Sequence, residues 1–349
     1  MRYFDSQLVA NSRPHAAWWG ELSVNRAWFH QTESTFASLS NSAAILPRDA
    51  WLELDSITRR VMRSDEGQAY MADLMPLAKA VNIGKLVHLS RVASDSGSVT
   101  RSMSGQVPNT LDKVVYDYRG TPVPIFSTAY GREWREWNTL SSENFDALAD
   151  DQESHGAKLR RDMAQFALDG DSKLKVGGYS ATGIRTSALS KTINLGSAAG
   201  GANIDLSSSS ATSDQIEAFF NGPFGAMLDA NFISAPVNVY VSPEIMRNWD
   251  RPYSGSAGSK DGTLLLQLLK NRRIAKITVT FELTGNEFFG FVPNAEYIRP
   301  LVGMAVNTTA KARQNPTDNY QFMMMGAMGM EIRADFNGRT GVFYSTDIS

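Results

Sequence analysis

With 349 residues the chain has room for roughly two or three compact units, burying about three quarters of their unfolded surface without covalent staples. It holds no cysteine, which excludes a disulfide framework, a thiolate metal site and a cysteine nucleophile, and suits a reducing cytoplasm. Lysine and arginine number 34 against 36 acidic residues, a net charge of −2 that excludes a dedicated nucleic-acid binder, while 42% hydrophobic and 20% charged residues exclude wholesale disorder.

The chain opens Met1-Arg2-Tyr3-Phe4-Asp5 with no apolar run behind it, so no signal peptide is expected. No stretch approaches the about 18 apolar residues of a membrane span. Residues 1–47 place Trp18, Trp19, Trp28 and Phe29 among Ser, Asn, Gln and Thr with poor periodicity. Such a segment cannot bury its own aromatics, so it reads as an arm that covers either its own body or a neighbouring subunit. From Pro47-Arg48-Asp49 a helical spacing begins with Trp51, Leu54, Ile57, Val61 and Met62, and Tyr70, Leu74 and Leu77 continue it to the Asn82-Ile83-Gly84 break.

Residues 85–119 form an excursion. Lys85 to Val92 alternate imperfectly, a small polar tip follows, and Lys113 to Tyr118 return. A two-stranded ribbon is marginal in water, so this one is either an ordinary sheet hairpin or a ribbon supported by another chain. Thr121-Pro122-Val123-Pro124 is extended because proline removes donors and biases its neighbours away from helix.

The clearest element is a helix expected over 143–168. Ser141 or Ser142 caps it, Glu143, Asp146, Asp150, Asp151 and Glu153 crowd its start, and Lys158, Arg160 and Arg161 lie toward its end, complementing the macrodipole. Phe145, Leu148, Leu159, Met163 and Phe166 fall on one stripe, and Asp169-Gly170-Asp171 stops it. Residues 172–213, rich in Gly, Ser, Ala and Thr, read as loop and short strand. Beyond them come helices around Ile216–Phe232 and Leu264–Leu269, strands at 236–241, 274–279 and 287–292, and a flexible loop at 251–262. Met330 to Phe336, Asn337-Gly338 and Gly341 to Tyr344 carry the signal of a closing hairpin. The order of elements fits an α+β fold rather than a βαβ repeat.

No convergent chemistry emerges. His15, His30, His88 and His155 lack metal-ligand spacing. Gly178 to Gly183 is one residue too long for a nucleophile elbow, and Lys260 after Gly255-Ser256-Ala257-Gly258-Ser259 is followed by Asp261, not the Ser or Thr of a phosphate loop. Neighbouring Asp150 and Asp151 diverge on a helix, so with Glu153 they make a poor cation cage. The reading is of a protein that is not an enzyme, with no cofactor and no metal.

Three segments carry a family resemblance. The helix exit Leu159-Arg160-Arg161-Asp162-Met163-Ala164-Gln165-Phe166-Ala167-Leu168-Asp169-Gly170-Asp171 followed by Gly183-Ile184 is the first. Val239-Tyr240-Val241-Ser242-Pro243-Glu244 is the second, and Asn286 to Pro293 with Tyr297-Ile298-Arg299-Pro300 and the closing strands is the third. In this order they resemble the Hong Kong 97 capsid fold shared by tailed-bacteriophage major capsid proteins and encapsulin shells. The resemblance implies an N-terminal arm at 1–47, a peripheral domain at 48–84 and 120–190 containing a spine helix at 143–168, and an extended loop at 85–119. It further implies an axial domain at 191–315 and a return to the peripheral domain at 316–349. The implied function is self-assembly, through pentamers and hexamers, into the icosahedral head shell around packaged double-stranded DNA; the alternative is an encapsulin-type nanocompartment shell. Implied partners are further copies of the chain, a separate scaffolding protein, a portal, a decoration protein and non-specific DNA on the inner face, with no membrane. Candidate intersubunit residues are Trp18, Trp19, Trp28 and Phe29 on the arm and Arg101, Lys113 and Arg119 on the loop, the cations facing acidic patches next door.

Overall fold

A computed structural model of the protein describes residues 68–97, 99, 101–104, 112–136, 147–198, 200–255, 258 and 260–348. All lie in one unit, Arg63–Ser349. The aromatic arm, the helical spacing at 51–62, the ribbon tip at 105–111 and the expected helix start at 143–146 lie outside the described residues.

A short helix α1 (Gln68–Leu74) buries Tyr70 and Leu74, four residues apart on one face, and leads to strand β1 (Lys79–Ala80). Strands β2 (Val87–Ala93) and β3 (Tyr116–Pro122) pair antiparallel, from Val87 opposite Pro122 to Ala93 opposite Tyr116. After β4 (Ile125–Arg132) comes the 23-residue helix α2 (Ala147–Asp169), about 35 Å long.

The exit from α2 shows why the sequence carries glycine at two separated places. Gly170 turns the chain at φ +66°, and a Cβ there would lie 2.5 Å from the Gly183 nitrogen. The close approach lets Ile184 and Arg185 donate backbone hydrogen bonds to the Ala167 and Leu168 carbonyls at 3.0 and 2.8 Å, satisfying the helix's last acceptors. Gly170→Ala is expected to cost more than about 2 kcal/mol, from left-handed strain plus overlap. Gly177→Ala, at φ +59° with open space around it, is expected to cost about 1 kcal/mol. Urea melts of the two variants check the difference.

Strands β5 (Gly170–Val176) and β6 (Tyr179–Thr182) make a small hairpin, and β7 (Lys191–Asn194) follows. Helix α3 (Ser213–Phe219) starts at a Thr212–Gln215 capping box and runs through a Pro223-containing turn into α4 (Gly225–Ala230). Then come β8 (Val237–Val241), α5 (Pro243–Trp249) capped by Ser242, α6 (Leu264–Leu269) capped by Thr263, β9 (Ile274–Val279) and β10 (Phe288–Phe291). The chain closes with β11 (Ile298–Ala310), β12 (Tyr320–Ile332) and β13 (Val342–Thr346).

Two sheets organise these strands: β1-β11-β12-β4 and β7-β13-β10-β8-β9. The five-stranded sheet is covered on both faces, which is why β8 is apolar nearly throughout and wholly buried. Val237, Val239, Val241 and Phe288 point into a core with Phe220, Phe224 and Trp249 from the helical side. Tyr240, Phe289 and Phe291 point into a second core with Tyr70, Leu168, Ile298 and Met330. Polar ties span the same junction. Asp73 of α1 accepts hydrogen bonds from Tyr240 and from Lys276 at 2.5 Å, and Arg185 bridges Asp169 at 2.7 Å and Glu287 at 3.1 Å. Helices gathered beside mixed sheets make the class α+β, as the element order indicates.

One expectation is corrected. The Asn337–Gly338 turn forms, with the Gly338 N–H donating to the Asp335 carbonyl at 3.1 Å, but its flanks are no hairpin. β12 pairs with β11 and β4, whereas β13 pairs with β10 and β7 in the other sheet. The turn signal is local, while partner choice is set by two mostly buried strands that each complete a different core. β11 thus lies in the sheet of β12 and β4, and β13 joins the sheet of β8 and β10.

Candidate assembly surface

Among the described residues, the β2–β3 ribbon gathers several uncovered apolar side chains. Along β2 the burial alternates, so His88, Ser90 and Val92 are half-buried and Leu89 stands 55% exposed. On the return, Val115, Tyr116 and Tyr118 are each more than half exposed, and Val99 near the tip is 90% exposed. This succession of exposed large apolar residues on one ribbon is unlike scattered surface hydrophobics and makes it the candidate contact surface.

The ribbon's own geometry is well held. The Ser94 N–H donates to the Val115 carbonyl at 2.8 Å, and the Val115 N–H returns a bond to Ser94 Oγ at 2.8 Å. The Gly97 N–H reaches Asp112 Oδ2 at 3.1 Å, and the Arg91 guanidinium lies 4.8 Å from the Tyr116 ring centroid. At its root, Arg119 donates from Nη1 to the Ala334 carbonyl at 3.0 Å and from Nη2 to that of Asp335 at 3.3 Å. Gly120 is required there, because a Cβ would meet the Tyr179 ring at 2.5 Å.

Trp18, Trp19, Trp28 and Phe29 lie outside the described residues. Arg101 and Lys113 are exposed on the ribbon. Arg119 is only partly exposed and is engaged with its own chain, so it anchors the ribbon to the segment between β12 and β13. Asp151 is likewise committed: its carboxylate takes a forked bond from Arg132 of β4 at 2.6 and 2.9 Å.

Leu266 and Leu269 of α6, on the helical side of the five-stranded sheet, are exposed as well. The described part of the 251–262 loop is tethered there. Tyr253 Oη donates within 2.7 Å of both Asp214 and Glu217, and Lys260 Nζ lies 2.6 Å from Glu217. Hydrogen bonds from Lys260 and then Tyr253 hold the Glu217 carboxyl below the usual carboxylate range. None of this was legible as a motif; Tyr253 and Lys260 stand within a glycine- and serine-rich stretch that reads as free loop. Among the described residues no helix is long and apolar enough to cross a membrane.

No curated protein matches the sequence. Among solved structures the chain is similar to the capsid of Myoviridae phage XM1 (13% identity, 88% of this chain and 100% of that one, TM-score 0.61). It is also similar to the capsid of the native GTA particle (12% identity, 88% and 99% covered, TM-score 0.58). A third is Microbacterium phage Oxtober96 (12% identity, 90% and 98% covered, TM-score 0.58). These likenesses identify the fold as that of tailed-phage major capsid proteins, the Hong Kong 97 type. By its sequence, matched over residues 41–345, the chain belongs to a family of unknown function, DUF6260.

Proposed function

We propose that the chain is a shell-forming subunit, the major capsid protein of a tailed phage, assembling through pentamers and hexamers into an icosahedral head around double-stranded DNA. The observation that carries this reading is the ribbon: a hydrogen-bonded pair of strands whose large apolar side chains stand exposed among the described residues. Copies of the subunit supply their cover, and many modest contacts then add through multivalency. The near-neutral charge supports it, since a head shell must hold its DNA loosely enough to release it. On this reading the arm aromatics Trp18, Trp19, Trp28 and Phe29 add contact area, and portal, scaffolding and decoration proteins are heterologous partners.

The direct test is to isolate particles containing this chain from the cells that produce them and digest free nucleic acid. Nuclease-protected duplex DNA inside uniform particles is the expected result. Particles without DNA but filled with an enzyme cargo would replace the head with a nanocompartment.

Arg101 and Lys113 are proposed to face acidic surface on the neighbouring copy. Arg101→Glu combined with Lys113→Glu is expected to raise the concentration needed for assembly about three- to tenfold at low salt. The difference should fade near 1 M salt, where screening acts within about 3 Å. Light-scattering titrations at the two salt concentrations check it; an unchanged threshold at low salt would remove these cations from the interface.

A further inference from the structure

Phe232 is out of place by every criterion internal to the subunit. It follows α4 and ends that helix in the left-handed region at φ +56°, its N–H donating to the Asp229 carbonyl at 3.0 Å while the Ile233 N–H reaches the Leu228 carbonyl at 3.0 Å. Glycine or asparagine ordinarily fills such a position, because a bulky side chain there is strained. The ring gains nothing in exchange from the core: it is 71% exposed. Its stacking partner is the Arg339 guanidinium, 4.1 Å from the ring centroid. A residue that costs the fold backbone strain and buries little of its ring in return points to a use outside the fold.

The surroundings say what that use is. Phe232 lines a cleft of about 460 Å³ that is also lined by the root of the ribbon. Arg91, Arg119, Arg333 and Arg339 line it against two carboxylates, Glu296 and Asp335, so cations are in excess. Tyr297 and Ile332 add an apolar wall. Positive charge beside an apolar ring fits a protein segment that presents a carboxylate next to an apolar side chain. A duplex phosphate backbone would be matched by the arginines but would leave the phenylalanine ring unused. The cleft is also continuous with the ribbon, since residues 90–93 of β2 and Arg119 of β3 form one side of it. A chain whose ribbon lies against a neighbour therefore carries the neighbour's surface past this cleft.

We propose that the Phe232 cleft is a docking site for an acidic, partly apolar segment of a second copy of this chain, an inference that rests on the shell reading above. The test uses the full chain with Phe232→Gly, a substitution that should improve the fold and impair assembly. Below the assembly threshold, the thermal midpoint of the variant should rise by about 2 °C or more, because left-handed backbone strain is relieved. In the same preparation the concentration needed to form particles should rise at least about tenfold. Arg333→Glu, placed across the cleft, should raise the threshold in the same direction without raising the midpoint. Assembly of Phe232→Gly at the unsubstituted threshold would overturn the proposal, as would a lowered midpoint, which would make the ring part of its own subunit's fold. Unchanged assembly by Arg333→Glu with weakened retention of a short DNA duplex would assign the cleft to nucleic acid and overturn it too. Failure of the shell reading itself shows separately, as the absence of particles from the unsubstituted chain.

Discussion

Replacing residues 94–115 with an Asn-Gly turn is expected to give a folded subunit that no longer closes into shells. The register makes the graft feasible: the β2–β3 pairing runs out to Ala93 opposite Tyr116, and a two-residue type I′ turn closes an antiparallel pair without splaying it. The fold should tolerate it. Among the described residues, no member of the buried clusters lies between 94 and 115. Arg119, which pins the ribbon's root to the Ala334 and Asp335 carbonyls, remains. What the graft removes is uncovered apolar surface, including Val99, Met103 and Val115. Stability should change by less than about 1 kcal/mol, while assembly should weaken by at least about 100-fold, since a contact repeated at every subunit is lost everywhere at once. Circular dichroism melts and sedimentation velocity read the two quantities. A variant that unfolds would make the ribbon tip part of its own subunit's core; a variant that still forms particles would remove the tip from the interface.

The largest effect on the isolated subunit is expected at Glu331. This residue sits on β12 directly opposite Arg299 of β11, with its carboxylate oxygen 2.5 Å from the guanidinium Nε. The Glu331 side chain is 2% exposed and that of Arg299 16%. Such a pair costs much desolvation to bury, and its net contribution is small; breaking it is another matter. Glu331→Ala leaves a largely buried guanidinium without its partner and is expected to cost about 3–5 kcal/mol. The double substitution Arg299→Met with Glu331→Met, which removes both charges and keeps volume, should lie within about 1 kcal/mol of the unsubstituted chain or above it. Denaturant unfolding of the singles and the double closes the cycle. If Glu331→Ala alone were neutral, water would have to reach Arg299 in place of the carboxylate. The same cluster borders the ribbon's root: His88 of β2 lies 3.4 Å from Lys79 Nζ. Burial holds the His88 imidazole below its ordinary range, with Lys79, Arg299 and Lys85 acting in the same sense against the attraction of Glu331.

The sequence disclosed the elements whose residues act locally. The long helix was legible from its apolar stripe, and its exit from Asp169-Gly170, because left-handed backbone demands glycine. The ribbon strands and β8, β9 and β10 were legible for the same kind of reason, as short β-rich runs between turn residues. What stayed hidden depends on partners far along the chain. β11 and β12, each 13 residues long, escaped notice because register shifts between Val302 and Asn307 break the alternation, and because Met323 to Met330 carry no β-branched side chain. The final turn was read correctly and the pairing of its flanks wrongly, since Asn337-Gly338 specifies a reversal but not which sheet receives each flank. Of the candidate interface residues, Arg101 and Lys113 are displayed on the ribbon. Arg119 turned inward because carbonyls 215 and 216 residues away face its guanidinium, a juxtaposition no spacing encodes. Phe232 was visible in sequence as an apolar residue of a helical pattern; only its φ and its exposure set it apart.

The central claim is that the apolar ribbon is covered by other copies of the same chain. Sedimentation of the purified full-length protein across a concentration series, with electron micrographs of each fraction, tests it most directly. The expected result is a cooperative shift from subunits or capsomers to closed particles of uniform diameter, at the expense of ribbon residues accessible to protease. A monomer that persists at the highest concentration, with the bonds around Val99 and Met103 still open to cleavage, would contradict it.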